Sequence, residues 1–310
     1  MEHPLYHRRV VRFLFAILLV SFTGSVAVRA QDQQGSDAAS LSRYGFFSGL
    51  DHRSQYGLGS FPEPFIVDDS DLETNELRFD WLHQEKAGKV ADGARVELEK
   101  GIGALTLELE VHYDRSTDRI FEPLTQRNRI DRGEGISNIN IGARYPFYQF
   151  VSRDERIDNT LGAALEIGIP TNSPTGKHAE IVPKVFNDLR LGDHFTFQTV
   201  VGLSFLRGSK PDGGAQALEY GVVLGYRIPH GEMALPGVEQ IIPMFEVAGS
   251  RSLNHGAGVN NILGNAAFRL NLRSIGRVQP RLGVGYLFPM NSGARDDFRW
   301  GVATSLVFEW

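Results

Sequence analysis

The chain has 310 residues, with 32 Lys and Arg against 37 Asp and Glu, and it contains no cysteine. Without cysteine there is no disulfide framework, thiol nucleophile or thiolate metal site. The acidic balance and the scatter of 9 histidines support neither a nucleic-acid partner nor a metal site, and no cofactor is expected.

The first element is an address. His7, Arg8, Arg9 and Arg12 form a basic n-region, "FLFAILLVSF" from Phe13 an apolar h-region, and "AVRA" places the small residues Val28 and Ala30 before a cleavage point. This pattern predicts a secretory signal peptide over residues 1–30, removed near Ala30. The apolar run is about ten residues long, half of the roughly 20 that a spanning helix needs. Val10 and Val11 follow the twin arginine and match a Tat signal poorly, so export in unfolded form is expected.

Residues 31–70 do not alternate. A Gln, Ser and Asp-rich leader gives way to "SRYGFFSGLDHRSQYGLGSFPEPF", dense in glycine and aromatics. Disordered tails are poor in aromatics. Tyr44, Phe46, Phe47, Tyr56, Phe61 and Phe65 therefore predict a segment that gains by burial.

From residue 71 the period becomes two, the signature of extended chain whose side chains point alternately to opposite faces. "ALTLELEVHYD" is the clearest case, with Leu105, Leu107, Leu109, Val111 and Tyr113 on one side and Thr106, Glu108, Glu110, His112 and Asp114 on the other. Before it come Leu77, Phe79 and Trp81, then Val96 and Leu98. After it come Ile139, Ile141, Ala143 and Tyr145, then Leu161, Ala163, Leu165, Ile167 and Ile169. A sixth segment, "VPKVFNDLRLG", sets Asn187 on the apolar face; "FTFQTVVGLSF", "LEYGVVLGYRI", "IIPMFEVAG", "GNAAFRLNL" and "PRLGVGYLF" complete the series. Pro183 and Pro243 are read near strand starts, because proline cannot donate to a ladder.

The chain ends "WGVATSLVFEW", with Phe298, Trp300, Val302, Thr304, Leu306, Phe308 and Trp310 on one face. A tilted strand crosses a bilayer in roughly 9 to 11 residues, with aromatics at both headgroup levels and a polar face toward a lumen. The predicted fold is all-β: a transmembrane antiparallel up-and-down β-barrel of about twelve strands over residues 71–310, ten or fourteen being the neighbouring counts. Connections after odd strands should be the longer ones. "DRSTDRIFEPLTQRNRIDRGEG", "TNSPTGKHAE", "RGSKPDGGA", "SRSLNHGAGVN" and "MNSGARDD" read as such loops. "YQFVSRDERID" and "PHGEMALPGVEQ" are long for the opposite, periplasmic side.

Chemistry then falls to the inward residues. The lumen-lining candidates are Glu108, Glu110, His112, Asp114, Arg144, Glu166, Arg227, Glu246, Arg281 and Arg299. Inward Asp80, Glu97, Glu99, Glu219, Arg78, Arg190 and Arg269 share their faces, and inward glycines such as Gly221, Gly225 and Gly283 leave room along the wall. Mixed charges of this kind form either an ion-pair lattice or a selective constriction. His112 and Asp114, with a serine such as Ser204, raise the alternative of a membrane-embedded hydrolase. Residues 43–65 are expected to fold back and line or plug the barrel mouth; the alternative is a segment resting on the membrane surface.

Together the signal peptide, the alternating segments and the terminal "SLVFEW" resemble Gram-negative outer-membrane β-barrels, whose terminal aromatic the barrel-assembly machinery recognises. That resemblance makes Phe308 and Trp310 an assembly signal and outer-membrane lipid a partner. Within the class, "EIGIPTNSPTG" followed by "IVPKVFNDLRLGDHFTFQTVVG" is similar to a barrel family linked to meta-pathway phenol degradation. The resemblance implies outer-membrane passage of a small solute, of aromatic or apolar kind, with a closed structural or surface-interaction barrel as the second reading and the hydrolase as the third.

Overall fold

The computed structural model describes residues 61–310 except 69, 71–74, 87–88, 103–104, 123–126, 172–177, 208–215, 234 and 254–258. The predicted signal peptide and residues 31–60 lie outside the described residues. Twelve strands form one closed antiparallel ring. They are β1 (Asn75–Lys86), β2 (Lys89–Ile102), β3 (Leu105–Glu122), β4 (Arg127–Val151), β5 (Ile157–Ile169) and β6 (Ala179–Leu191). β7 (Phe195–Arg207), β8 (Ala217–Tyr226), β9 (Val238–Ser252), β10 (Asn260–Leu272), β11 (Gln279–Pro289) and β12 (Trp300–Glu309) follow. Each strand pairs with its sequence neighbour, and β12 closes on β1 in a register running from Glu76↔Glu309 to Glu85↔Trp300. Closure removes the sheet edges that would otherwise leave rows of unpaired N–H and C=O groups.

The alternation read in the sequence sorts side chains by the reverse of a soluble protein's rule. Phe79, Trp81, Leu98, Leu109, Ile141, Leu165, Val185, Leu224, Phe268 and Leu282 are exposed on the outer face. Arg78, Glu97, Glu99, Arg144, Arg190, Gln198, Glu246, Arg269 and Arg281 are buried inside. Aromatic clusters mark both rims. At the lower rim, where Asn75 and Trp310 meet, Phe195 sets its edge on Tyr226 at 4.9 Å and His194 stacks on the same ring at 5.1 Å. At the upper rim His83 lies between Trp81 and Trp300, at 5.8 and 5.4 Å, and Trp300 Nε1 donates to Glu85 at 2.9 Å. Asn75 and Trp310 clasp the seam through Trp310 N–H to Asn75 O at 3.1 Å and Asn75 Nδ2 to Trp310 O at 2.8 Å.

Several expectations need correction. The polar stretch after the third segment is a ladder, since β3 and β4 stay paired out to Glu122↔Arg127, beyond the level where the other strands turn. Charge content does not by itself prevent pairing, because the ladder is made by backbone N–H and C=O groups. The connection after β4 shrinks to residues 152–156, because both flanking strands are longer than their apolar cores. There Asp154 accepts from Ser152 Oγ at 2.6 Å and Arg156 N–H at 3.3 Å, which lowers its carboxyl pKa.

Between β8 and β9 a short helix, α1 (His230–Met233), occupies the long lower connection. "MNSGARDD" is not open loop but α2 (Ser292–Asp297), capped by the Asn291 side chain on Ala294 N–H.

Pro183 and Pro243 lie within β6 and β9, not at their starts. Each sits where one neighbouring ladder lapses. β6 pairs with β7 at Ile181↔Phe205 and again at Lys184↔Gly202, while β9 joins β8 from Met244↔Gly225. The missing proline N–H is thus placed where no donor is required. Asn187 faces outward by parity, and its amide is satisfied by Asn159 Oδ1 at 2.6 Å and Thr160 O at 2.9 Å.

Leu109 lies between the two aromatic rims on the outer face of β3. Leu109→Arg should destabilise the barrel by about 2 to 4 kcal/mol, the cost of a guanidinium near a bilayer midplane. Glu219→Arg, facing Asp68, Glu180 and Glu166 as well as Lys184, should cost far less. Denaturant unfolding from lipid vesicles measures both, and equal losses would contradict the assignment of faces.

Candidate functional site: the occupied lumen

One side of the lumen is a charged lattice. Arg78 reaches Asp80 at 2.8 Å and Glu97 at 3.7 Å, while Arg95 bridges Asp80 and, at 2.9 Å, Glu110. His112, opposite a bulge in β4, places Nε2 2.8 Å from Glu110. Arg144 pairs with Glu99 and lies 3.9 Å from Glu108. Glu97, Glu99 and Glu108 bring carboxylate oxygens within 4.8 Å of one another. Arg144 supplies the positive charge at that point.

The other side, on β6 to β9, mixes apolar residues with the buried Lys184, Asp188, Arg190, Gln198 and Glu246. Val182, Phe186, Val200, Val223, Ile242 and Met244 face inward and are buried. Between the two sides runs the chain that precedes β1. Of the residues expected to fold back, 43–60 lie outside the described residues; residues 61–65 are in the lumen, and beyond them Val67 and Ser70 are buried.

"FPEPF" explains how this segment holds its course. Pro62 and Pro64 restrict the backbone and remove two N–H donors from a place without a ladder. The N–H groups of Phe65, Ile66 and Val67 all point at one carboxylate, Glu246 of β9, at 2.9 to 3.2 Å. Asn265 Nδ2 adds a further donor to Glu246 at 2.8 Å. Glu63 pairs with Arg281, Asp68 with Lys184 at 3.0 Å, and Ser70 donates to Asp188 at 2.6 Å. Glycines of the wall receive the segment at close range: a β-carbon on Gly225 would come 3.0 Å from Pro62, and one on Gly283 2.6 Å from Phe65. The room that these glycines leave is filled from within.

Two cavities flank the segment. One of about 140 Å³ is lined by Phe65, Asp80, Arg95, His112 and Asp114; the other, about 230 Å³, by Ile66, Val67, Asp68, Val200 and Glu219.

Glu108, Glu110, His112, Asp114, Arg144, Glu166, Glu246 and Arg281 therefore face the lumen, Glu166 against Lys184. Arg227 stands at the lower rim, its Nε on Gln240 at 2.5 Å. Arg299 is a correction. It lies exposed at the upper rim, 3.3 Å from Glu85, because the chain between α2 and β12 has left the strand path. Phe298 is turned inward for the same reason and packs with Leu287 and Ala303, against Leu82, Leu263, Phe65 and Ile66.

Arg95 and Lys184 were missed as lumen residues, although parity with Glu97 and with Asp188 marks them. Ser204 donates to Glu180 on β6, while His112 sits with Glu110 on β3 and Asp114 accepts from Ser137. The structure does not bring Ser204 to His112 and Asp114, which line one cavity on β3.

No family model and no curated protein sequence matches the chain. Among solved structures, the COG4313 outer membrane channel from Pseudomonas putida F1 superposes with a TM-score of 0.53 at 13% identity, over 79% of this chain and 100% of that one. The likeness is one of fold. The NanC porin follows at 0.44 and 10% identity, over 76% and 99% of the two chains. The KdgM porin scores 0.41 at 11%, over 75% and 99%.

Glu246→Gln replaces the charged acceptor by a neutral one and should loosen residues 65–67. Their amides should exchange with deuterium about tenfold faster or more, since a charge-assisted bond is roughly twice as strong as a neutral one. Strand amides of β3 should remain protected. Unchanged exchange at 65–67 would show that Glu246 does not hold the segment.

Proposed function

We propose that the chain is an outer-membrane channel for a small solute, and that residues 61–70 plug its lumen at rest. The supporting observation is the manner of filling. The apolar outer face fits the barrel to lipid, while the lumen is obstructed by one thin segment that is not part of the wall. Its polar contacts, to Glu246, Arg281, Lys184 and Asp188, are exchangeable without breaking a strand pairing. Cavities of about 140 and 230 Å³ on either side are of the scale that accepts a single-ring compound.

The resemblance of the "EIGIPTNSPTG" region to the phenol-degradation barrel family, and the likeness to a channel fold, favour passage over hydrolysis. The apolar side chains of β6 to β9, among them Phe186, Val200, Val223 and Ile242, suit an aromatic or apolar solute. A closed structural barrel is the second reading, favoured by the occupied lumen itself.

Deletion of residues 31–70 separates the two. The truncated barrel in a planar bilayer should conduct more, or admit larger solutes, than the full mature chain. Equal conductance from a folded, heat-modifiable barrel would overturn the plug and leave the closed barrel.

Assembly is the companion proposal, with the barrel-assembly machinery reading Phe308 and Trp310 and a cleaved signal peptide delivering the chain. Removal of Trp310 should lower the amount inserted in the outer membrane while synthesis and export continue. Undiminished insertion would reduce Trp310 to a clasp for Asn75.

A further inference from the structure

Three guanidinium groups, Arg269, Arg281 and Arg78, are each 1% exposed and turn toward residues 63–65. Arg281 pairs with the Glu63 carboxylate. Arg269 donates from Nε to Glu63 O at 2.6 Å and from Nη2 to Pro64 O at 3.4 Å, and Arg78 donates to Pro64 O as well. The ring of Phe65 lies over Arg269, 4.5 Å from Cζ to centroid, and rests on Gly283, where a β-carbon would come within 2.6 Å. The wall itself gives Glu309 to Arg281 and Asp80 to Arg78, but its hydrogen-bond partner for Arg269 is the neutral hydroxyl of Ser305, at 2.9 Å.

The segment thus presents a carboxylate and, two residues on, a flat ring. The wall has a seat for each: a guanidinium for the carboxylate, and a glycine floor with a guanidinium face for the ring. Guanidinium matches both kinds of partner, by its hydrogen-bonding fork and by its cationic plane.

We infer that this recess is a binding site for a solute carrying both a carboxylate and a flat apolar ring, and that Glu63 and Phe65 occupy it as internal stand-ins. The inference rests on the channel reading, in which the segment yields to a passing solute. Solute and segment compete, so the apparent affinity falls with the fraction of molecules in which the seat is vacant. Arg269 tilts the competition. The segment offers it neutral peptide carbonyls, whereas a free carboxylate would bring a full opposite charge and a planar, two-oxygen match to the guanidinium fork.

The test uses the full mature chain, refolded in detergent, with benzoate as probe and benzyl alcohol and acetate as its two halves. Calorimetry should find benzoate bound about tenfold or more tightly than either half. Glu63→Gln, which weakens the segment's hold on Arg281, should tighten benzoate by about tenfold. Adding Arg269→Gln should remove that gain. Adding Gly283→Ala instead should weaken benzoate and leave acetate unchanged, and it carries the test alone if the arginine variant fails to show heat-modifiable migration.

A Glu63→Gln protein that binds the three probes alike, or none of them, overturns the site. Should deletion of residues 31–70 raise conductance while Glu63→Gln binds no benzoate, the channel stands and this site falls. Should the benzoate pattern appear while that deletion leaves conductance unchanged, the site stands and the passage reading falls.

Discussion

The carboxylate of Glu246 has no exposure, and its partners are Asn265 and three consecutive backbone N–H groups of residues 65–67. Removing an ion from water costs several kcal/mol even after relaxation, unless hydrogen bonds offset it. A backbone that crosses a lumen without strand neighbours has the converse need, because its own N–H groups must find acceptors. Wall and segment meet both requirements at one place. The course of residues 61–68, the seating of Phe65 on Gly283 and the two cavities beside the segment follow from that contact.

The lumen is asymmetric in a way that bears on passage. Its charged side is cross-linked, with Arg78, Arg95 and Arg144 each serving more than one carboxylate. Removing one member would strand the others, so that side acts as a fixed scaffold. Across the lumen, Val182, Phe186, Val200, Val223, Ile242 and Met244 stand among Lys184, Asp188 and Glu246, which hold the segment.

The barrel was legible because lipid outside and charge inside impose period two on every strand, and Leu105 through Asp114 obey it without exception. Strand ends were less legible. β3 and β4 continue as a charged hairpin, and the ladder there depends on backbone bonds that composition does not encode. Arg299 and Phe298 were assigned by extending the parity of β12 backward, but helix α2 breaks the phase and exchanges their environments. Of the aromatics that suggested a fold-back of the leader, Phe61 and Phe65 fall among the described residues, Phe61 buried and Phe65 against Gly283. The leader's partner Glu246 was readable as inward only, because what an inward carboxylate will meet across a lumen depends on closure of the ring.

The central claim is that residues 61–70 lie inside the closed barrel, and the absence of native cysteine makes it directly testable. Asp68 and Lys184, 3.0 Å apart, would be replaced by cysteines and treated with a short bifunctional thiol reagent in native outer membranes. Thr106 and Arg144, opposite each other on β3 and β4, supply a control pair within the wall. The account predicts that both pairs cross-link, and that the 68–184 link fixes conductance at its lowest level until it is reduced. Cross-linking of the control with none between positions 68 and 184 would contradict it.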